Sequence, residues 1–184
     1  SSNKGEWISG LMEVYKQSPE LKRPAQAKWL SDDYVKFIRF SEHLIEKNGE
    51  GVLGFITNHS YLDNPTFSDM RHHLMQTFDR IYIIDLHGNT KKKEVTLGGK
   101  PDKNVFDIQQ GVAIIIAVKR TAKTKNKKLA SIYHRDLWGS RAEKYETLEL
   151  AQINLSEFSD VTPQDFPWNF QKVDWVLREV YFSL

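Results

Sequence analysis

Hydrophobic and polar positions change their period several times along the chain, which predicts helices interleaved with strands. Residues 32–48 carry apolar side chains at helical spacing, with acidic residues at the start and Asn48-Gly49 at the end. This pattern is typical of a helix with one buried face. A shorter amphipathic helix is predicted near the amino terminus, from Trp7 to Tyr15, before prolines interrupt the pattern.

Three short runs, 52–56, 81–84 and 112–118, are almost wholly apolar, as strands buried on both faces would be. The last two runs have no helix between them, so we expect them to be antiparallel neighbours. A further strand is predicted at 129–133 and a further helix at 140–152.

A second predicted helix separates the first two apolar runs. Asn64 is suited to cap it and Pro65 to occupy its first position. Apolar residues at helical spacing form its expected core face: Phe67, Met70, Leu74 and Phe78.

The order helix, strand, helix, strand, loop, strand predicts an α/β fold with helices on the faces of a sheet. The pattern weakens after residue 152. We therefore predict one domain over residues 1–152 and an aromatic-rich connector over 153–184, with a helix from 171 to 184.

Composition narrows the function classes. The 184 residues include no Cys, which excludes a disulfide framework, a thiolate zinc site and a cysteine nucleophile, and fits a reducing cytoplasm. No apolar stretch approaches the about 20 residues that span a bilayer, so no membrane association is expected.

The net charge is only +2, but basic residues cluster in two runs. These runs are candidates for contact with DNA phosphates, and the alternative is that they are solvated surface loops. The candidate residues are Lys91, Lys92, Lys93, Lys119, Arg120 and Lys123.

Two apparent motifs are set aside. The GxGxxG string at 49–54 ends a helix and enters a strand, whereas a dinucleotide fingerprint follows a strand and opens a helix. His72 and His73 are adjacent on a helix and point about 100° apart, and the chain contains no His-x-x-x-His pair. No metal-binding residue is assigned on this basis.

Three segments, in order, carry a resemblance to a known family: 51–62 (GVLGFITNHSYL), 78–89 (FDRIYIIDLHGN) and 104–114 (NVFDIQQGVAI). They resemble the adenine-specific (N6) DNA methyltransferase domain of single-chain type IIG and type ISP restriction-modification enzymes. The resemblance covers about residues 30–150. It implies the carboxyl half of a Rossmann-like S-adenosylmethionine-dependent methyltransferase fold, a mixed sheet with an antiparallel last strand.

The resemblance also implies a pocket for the target base. In such enzymes the loop after the first apolar strand, here with Asn58 and Tyr61, helps to form this pocket. An aromatic residue before the last strand, here Phe106, stacks on the adenine that is flipped out of the duplex. The alternatives are that Asn58 is a turn residue and that Tyr61 and Phe106 are packing aromatics.

One departure from the family is an absence. The chain contains no Pro-Pro, so the family's Asn-Pro-Pro-aromatic catalytic loop is not within it, and neither is the Gly-rich cofactor loop. We therefore assign no catalytic residue and expect the chain alone to be inactive. S-adenosylmethionine is the expected cofactor of a longer parent. Double-stranded DNA and the amino-terminal half of the domain are the expected partners, and an exposed sheet edge is expected to favour self-association.

Two other functions stay open. One is a non-catalytic DNA-binding or assembly module on a methyltransferase-like fold. The other is methylation of RNA or protein, since fold alone does not separate substrates.

Overall fold

A five-stranded mixed sheet organises the protein, in a computed structural model that describes residues 4–22, 26–96, 98–120, 128–150 and 154–172. The helices are α1 (Glu6–Met12), α2 (Asp33–Asn48), α3 (Ser68–Thr77) and α4 (Arg141–Leu150). The strands are β1 (Gly51–Asn58), β2 (Arg80–Asp85), β3 (Val112–Lys119), β4 (Ser131–Asp136) and β5 (Ser159–Asp160).

Local sequence signals account for the helix boundaries. The chain leaves α2 through Gly49, whose φ of 86° is a left-handed conformation that glycine adopts without strain. Before α3, the Asn64 side chain accepts a hydrogen bond from the Thr66 amide, and Pro65 opens the turn as predicted. The predicted core face of this helix is confirmed, because all four residues are buried: Phe67, Met70, Leu74 and Phe78.

The strands lie in the order β1-β3-β2-β4-β5. β3 is antiparallel to β1 and to β2, whereas β2 and β4 are parallel. The predicted antiparallel pairing of 81–84 with 112–118 is therefore confirmed, as is the mixed sheet. However, β3 is not the last strand, because β4 and the short β5 extend the sheet beyond β2.

β4 begins and ends later than the predicted strand at 129–133. Its register runs from Arg80 opposite Ser131 to Asp85 opposite Asp136, so β2 determines its length. Ala130, just before it, donates its amide to the Met75 carbonyl at the end of α3. Tertiary pairing therefore overrides the local apolar pattern that ends at Tyr133.

Helices cover the two faces of the sheet unequally. The larger core lies between the sheet and the layer of α2 and α3, and includes Leu53, Ile83 and Ile115. A smaller core on the opposite face, around Ile84 and Val112, packs against residues of α4 and the segment that follows it. Among the described residues, no helix combines the length and apolarity that a membrane span requires.

Residues 154–172, the described part of the predicted connector, pack against this domain. β5 pairs with β4, and the Phe170 ring is fully buried in the larger core. The helix predicted for 171–184 lies outside the described residues except for Gln171 and Lys172, which are not helical.

Arg71 of α3 joins this returning segment to the turn after β1. Its guanidinium is fully buried and donates to the carbonyls of Tyr61 (2.7 Å), Asn64 (2.9 Å), Pro167 (2.6 Å) and Trp168 (2.9 Å). Burial lowers the Arg71 pKa to about 10, so the group stays charged at neutral pH. Carbonyl oxygens therefore surround this buried charge, and the nearby charge of Asp63 also favours it.

We expect Arg71→Met to lower the free energy of unfolding by about 3–4 kcal/mol, because several buried carbonyl oxygens lose their donor. Urea unfolding followed by circular dichroism measures the change. The exposed Arg80 on β2 provides the matched control, and Arg80→Met is expected to change stability by at most about 0.5 kcal/mol. Similar losses in the two variants would contradict this role for Arg71.

Candidate functional site

The carboxyl ends of three strands meet at one edge of the sheet. β1 and β2 both oppose β3, so they run in the same direction, and β4 runs parallel to β2. β3 begins at this edge, so the loop 86–111 both leaves from it and returns to it. Open α/β sheets bind their ligands at such an edge.

Asn58 and Tyr61 lie in the turn that follows β1. The Asn58 side-chain oxygen accepts hydrogen bonds from the Ser60 amide (2.8 Å) and hydroxyl (2.7 Å), which caps the turn. Tyr61 is fully buried beside Tyr34, and burial raises the pKa of its hydroxyl well above the ordinary value. Both side chains thus support the turn, and their contact with a target base stays a prediction.

Phe106 differs from these two because its side chain is 42% exposed. It lies on the returning part of loop 86–111, in a shallow depression that also includes Ile108, Gln109 and Arg141. Arg141 donates to two residues near Phe106 in the chain. The acceptors are the backbone oxygen of Asn104 (3.0 Å) and the carboxylate of Asp107 (2.6 Å). A partly exposed aromatic side chain at this edge is suited to stacking on a planar ligand.

Asn104 fixes the backbone that carries Phe106. Its side-chain nitrogen donates to the carbonyls of Gly88 (3.1 Å) and Gln110 (2.7 Å), and its side-chain oxygen accepts from the Phe106 amide (2.9 Å). A Cβ atom on Gly88 would lie 2.4 Å from the Asn104 Cα, and Gly88 has a φ of 81°. Only glycine at position 88 permits this close approach.

A buried ion pair between Lys144 and Asp102 supports loop 86–111. Lys144 of α4 donates from Nζ to Asp102 Oδ2 (2.8 Å) and to the carbonyls of Leu86 (2.7 Å) and Lys103 (2.6 Å). The other Asp102 oxygen accepts from the Gly139 amide (2.7 Å), and both charged side chains are fully buried. The pair therefore joins the start of the loop, at Leu86, and its part at 102–103 to α4.

The described members of the two basic runs lie at opposite ends of the strands. Lys91, Lys92 and Lys93 are exposed in loop 86–111, at the carboxyl edge. Lys119 and Arg120 lie at the far end of β3, roughly 24 Å away at about 3.4 Å per residue. Lys123 is outside the described residues. Of the described candidates in these runs, only Lys91, Lys92 and Lys93 lie at the same edge as Phe106.

Three histidines and two aspartates converge at the same edge, an arrangement that the sequence reasoning missed. His59 follows β1. Asp85 ends β2 and His87 follows it, and His134 and Asp136 lie in the last three residues of β4. The His59 Nδ1 atom is 2.9 Å from Asp85 Oδ1, and the His87 Nε2 atom is 2.8 Å from Asp136 Oδ1. Spacing along the chain hides such a cluster, but each member lies at the end of a predicted strand, which was the available signal.

The local environment sets the charge of this cluster. Burial alone would raise the pKa of Asp85, but the hydrogen bond from His59 and the proximity of His87 outweigh it, so the Asp85 pKa lies below its ordinary value. Burial lowers the pKa of His134, which favours its neutral form. The cluster thus holds a buried carboxylate that stays ionised at neutral pH.

The chain matches no protein-family model and no curated protein. It is similar in fold to the ATP-dependent type ISP restriction-modification enzyme LlaBIII bound to DNA, with a TM-score of 0.71 and 24% identity over 94% of this chain and 11% of that chain. A second similar structure is a nuclease-deletion mutant of the type ISP enzyme LlaGI in complex with a DNA substrate mimic. Its TM-score is 0.71, with 21% identity over 94% of this chain and 16% of that chain.

The DrdV–DNA complex gives a TM-score of 0.68 and 24% identity over 91% of this chain and 15% of that chain. At these identities the likeness establishes a shared fold. The chain spans between 11% and 16% of the length of the three neighbours. Its α/β sheet therefore corresponds to one region within larger proteins that were solved with DNA.

Replacing Lys144 with Met is expected to lower the free energy of unfolding by about 3–5 kcal/mol, because Asp102 keeps a buried charge without a partner. The double variant Lys144→Met, Asp102→Leu is expected to recover a substantial part of this loss, since neither charge then remains buried. Urea unfolding measures both. The exposed Lys100→Met variant is the control, and equal losses in the single and double variants would count against a buried pair.

Proposed function

We propose that the chain is part of a DNA methyltransferase that transfers a methyl group from S-adenosylmethionine to the N6 amine of adenine in a restriction-modification system. The supporting observation is the sheet order, in which β3 lies antiparallel between β1 and β2, so that the loop before β3 carries Phe106 at the carboxyl edge. The same fold occurs within proteins solved with DNA. The family resemblance of the loop sequences supplies the reaction type.

The proposed role of this region is to hold the target base. The adenine amine is paired inside the duplex, so the base must be extruded before its nitrogen can attack the methyl sulfonium. Phe106 offers a ring face for the extruded base, and Lys144 and Asn104 keep the loop backbone in place. When bound, S-adenosylmethionine would supply the methyl group at this point and leave as the neutral thioether, and the amine would release one proton to solvent. Positioning, rather than a covalent enzyme intermediate, provides the catalysis.

The residues that accept the amine and the main cofactor-binding loop are proposed to lie elsewhere in the same protein. β1 ends the sheet order among the described residues, so one of its edges has no paired strand there. Val52 (66% exposed) and Ile56 (41%) on β1 expose apolar side chains on one face of the sheet beside that edge, and on the other face the partly exposed Phe37 (46%) of α2 stacks on Phe55. Apolar surface of this kind is typical of an interface. We propose that the amino-terminal half of the domain packs here, and that the isolated chain self-associates through this edge.

In the full-length protein that contains this chain, Phe106→Ala is expected to reduce methyl transfer to duplex DNA. Loss of one base–aromatic stack costs about 1–3 kcal/mol, which corresponds to roughly a 5- to 150-fold lower rate. Incorporation of tritiated methyl from S-adenosylmethionine into unmethylated plasmid DNA measures the rate. Phe106→Tyr keeps the ring face and is expected to retain most of the activity.

Val95→Ala is the control for this experiment, because Val95 is an exposed apolar residue of the same loop that lies outside the depression around Phe106. An unchanged rate in Phe106→Ala would remove the proposed role of this ring. Methylated nucleosides recovered from the plasmid identify the product. A product other than N6-methyladenine would refute the proposed reaction.

DNA binding provides a separate test. Replacing Lys91, Lys92 and Lys93 by Ala is expected to weaken binding and to flatten its salt dependence, because each lost phosphate contact lowers the slope of log K against log salt by about 0.9. Fluorescence anisotropy with a labelled duplex measures this slope. The variant Lys119→Ala, Arg120→Ala, at the opposite edge, is the matched comparison. A larger change in that variant would place DNA at the wrong edge for Phe106.

The same measurements distinguish a non-catalytic DNA-binding or assembly module. Salt-sensitive binding by the full-length protein without methyl transfer would favour that function.

A further inference from the structure

A trio of potential metal ligands is buried where β1 and β2 end. His59 and His87 each keep less than a tenth of their surface exposed, and Asp85 is fully buried. The Asp85 Oδ1 atom lies 2.9 Å from His59 Nδ1 and 3.7 Å from His87 Nδ1. A tetrahedral ion with bonds of about 2.0–2.1 Å holds its ligands roughly 3.3 Å apart. The two observed distances lie on either side of this separation, and all three ligand atoms lie within 4.8 Å of one another, so an ion would replace the proton of the His59–Asp85 hydrogen bond after side-chain shifts.

The hydrogen bond of His87 determines which of its nitrogens is free. The Nε2 atom lies 2.8 Å from Asp136 Oδ1, so in the neutral ring it carries the proton and donates it to this carboxylate. The Nδ1 atom then presents a lone pair to Asp85 Oδ1, and two acceptors face each other at 3.7 Å. A cation between them removes this repulsion. A histidine that donates its second nitrogen to a carboxylate is also the usual arrangement of metal ligands in proteins.

Neighbouring groups hold the three ligands in place. Asp85 accepts hydrogen bonds from the His87 amide (3.0 Å) and the Gln171 side chain (2.9 Å). The His59 ring packs against Gly111, where a Cβ atom would lie 2.4 Å from His59 Cε1. The His87 ring stacks on Trp138 with centroids 3.4 Å apart. Such support is what an ordered metal site requires.

A second, independent feature lies beside this trio. The Nε2 atom of His134 is buried and has no hydrogen-bond partner among the described residues. His134 also forms a trio of potential ligands with Asp85 and Asp136, whose donor atoms lie within 4.8 Å of one another. A buried nitrogen without a partner is uncommon in proteins, and no group of the described residues satisfies this one.

We propose that His59, Asp85 and His87 bind a divalent metal ion of the zinc class, and that Asp136 orients His87 for this purpose. Imidazole and carboxylate ligands without thiolates suit Zn²⁺, Co²⁺ and Ni²⁺. The ion would tie the ends of β1 and β2 together beneath loop 86–111. This site is independent of the proposed methyl transfer, and no catalytic step is assigned to it.

Titration with Co²⁺ tests the site, because four-coordinate Co²⁺ absorbs visible light strongly. The protein is prepared without a polyhistidine tag and is first stripped with a chelator. We expect one Co²⁺ per chain, a visible absorption band that Zn²⁺ abolishes by displacement, and a higher Tm with either ion. The absence of saturable binding by the unaltered protein would overturn the proposal.

Variants separate the ligands from other histidines. His87→Gln is expected to lose the absorption band, and Asp136→Asn to weaken Co²⁺ binding about 10–100-fold, because the orienting carboxylate is removed. His43 lies outside the cluster and contacts Trp7. His43→Gln is therefore expected to bind Co²⁺ as the unaltered protein does. Unchanged binding in both cluster variants, or an equal loss in His43→Gln, would also overturn the proposal.

Protein folding is checked by circular dichroism in the absence of metal. If His87→Gln does not fold, Asp136→Asn carries the test, since the Asp136 side chain is partly exposed and its replacement leaves the core intact. No DNA or methyl donor enters the experiment. Its failure would therefore leave the proposed methyltransferase function untouched.

Discussion

The antiparallel pairing of β3 with both β1 and β2 is the constraint on which the other features depend. Because β3 opposes two strands at once, β1 and β2 must be parallel, and their carboxyl ends meet at one edge. Because β3 starts at that edge, loop 86–111 must close back onto it. Every residue with a proposed role in base binding or metal binding is brought together by this one arrangement of strands.

Buried charges then fix the segments that hydrophobic packing leaves undetermined. Apolar contacts are not directional, so they place α3 and α4 against the sheet without specifying the course of the loops. Arg71 and Lys144 supply the direction, because a buried cation is tolerated only where carbonyl or carboxylate oxygens surround it. Arg71 holds the returning segment 154–172. Lys144 holds loop 86–111 at Leu86 and at Lys103.

The carboxyl edge thus divides into two chemically different parts. The part around Phe106 and the lysines Lys91, Lys92 and Lys93 is exposed, and it suits a planar base and a phosphate backbone. The part around Asp85, with His59 and His87, is buried and suits a small cation. Loop 86–111 connects the two parts, because His87 lies at its start and Phe106 in its returning part.

The amino-acid sequence by itself determined the elements and their class. Apolar periodicity placed α2, α3 and the three main strands, and the missing helix between two strands implied their antiparallel pairing. These features follow from local signals that each segment carries alone. The position of β3 inside the sheet, the length of β4, the burial of Tyr61 and the meeting of His59, Asp85 and His87 were decided only by the tertiary structure. Each depends on contacts between residues far apart in the chain, and no local pattern records them.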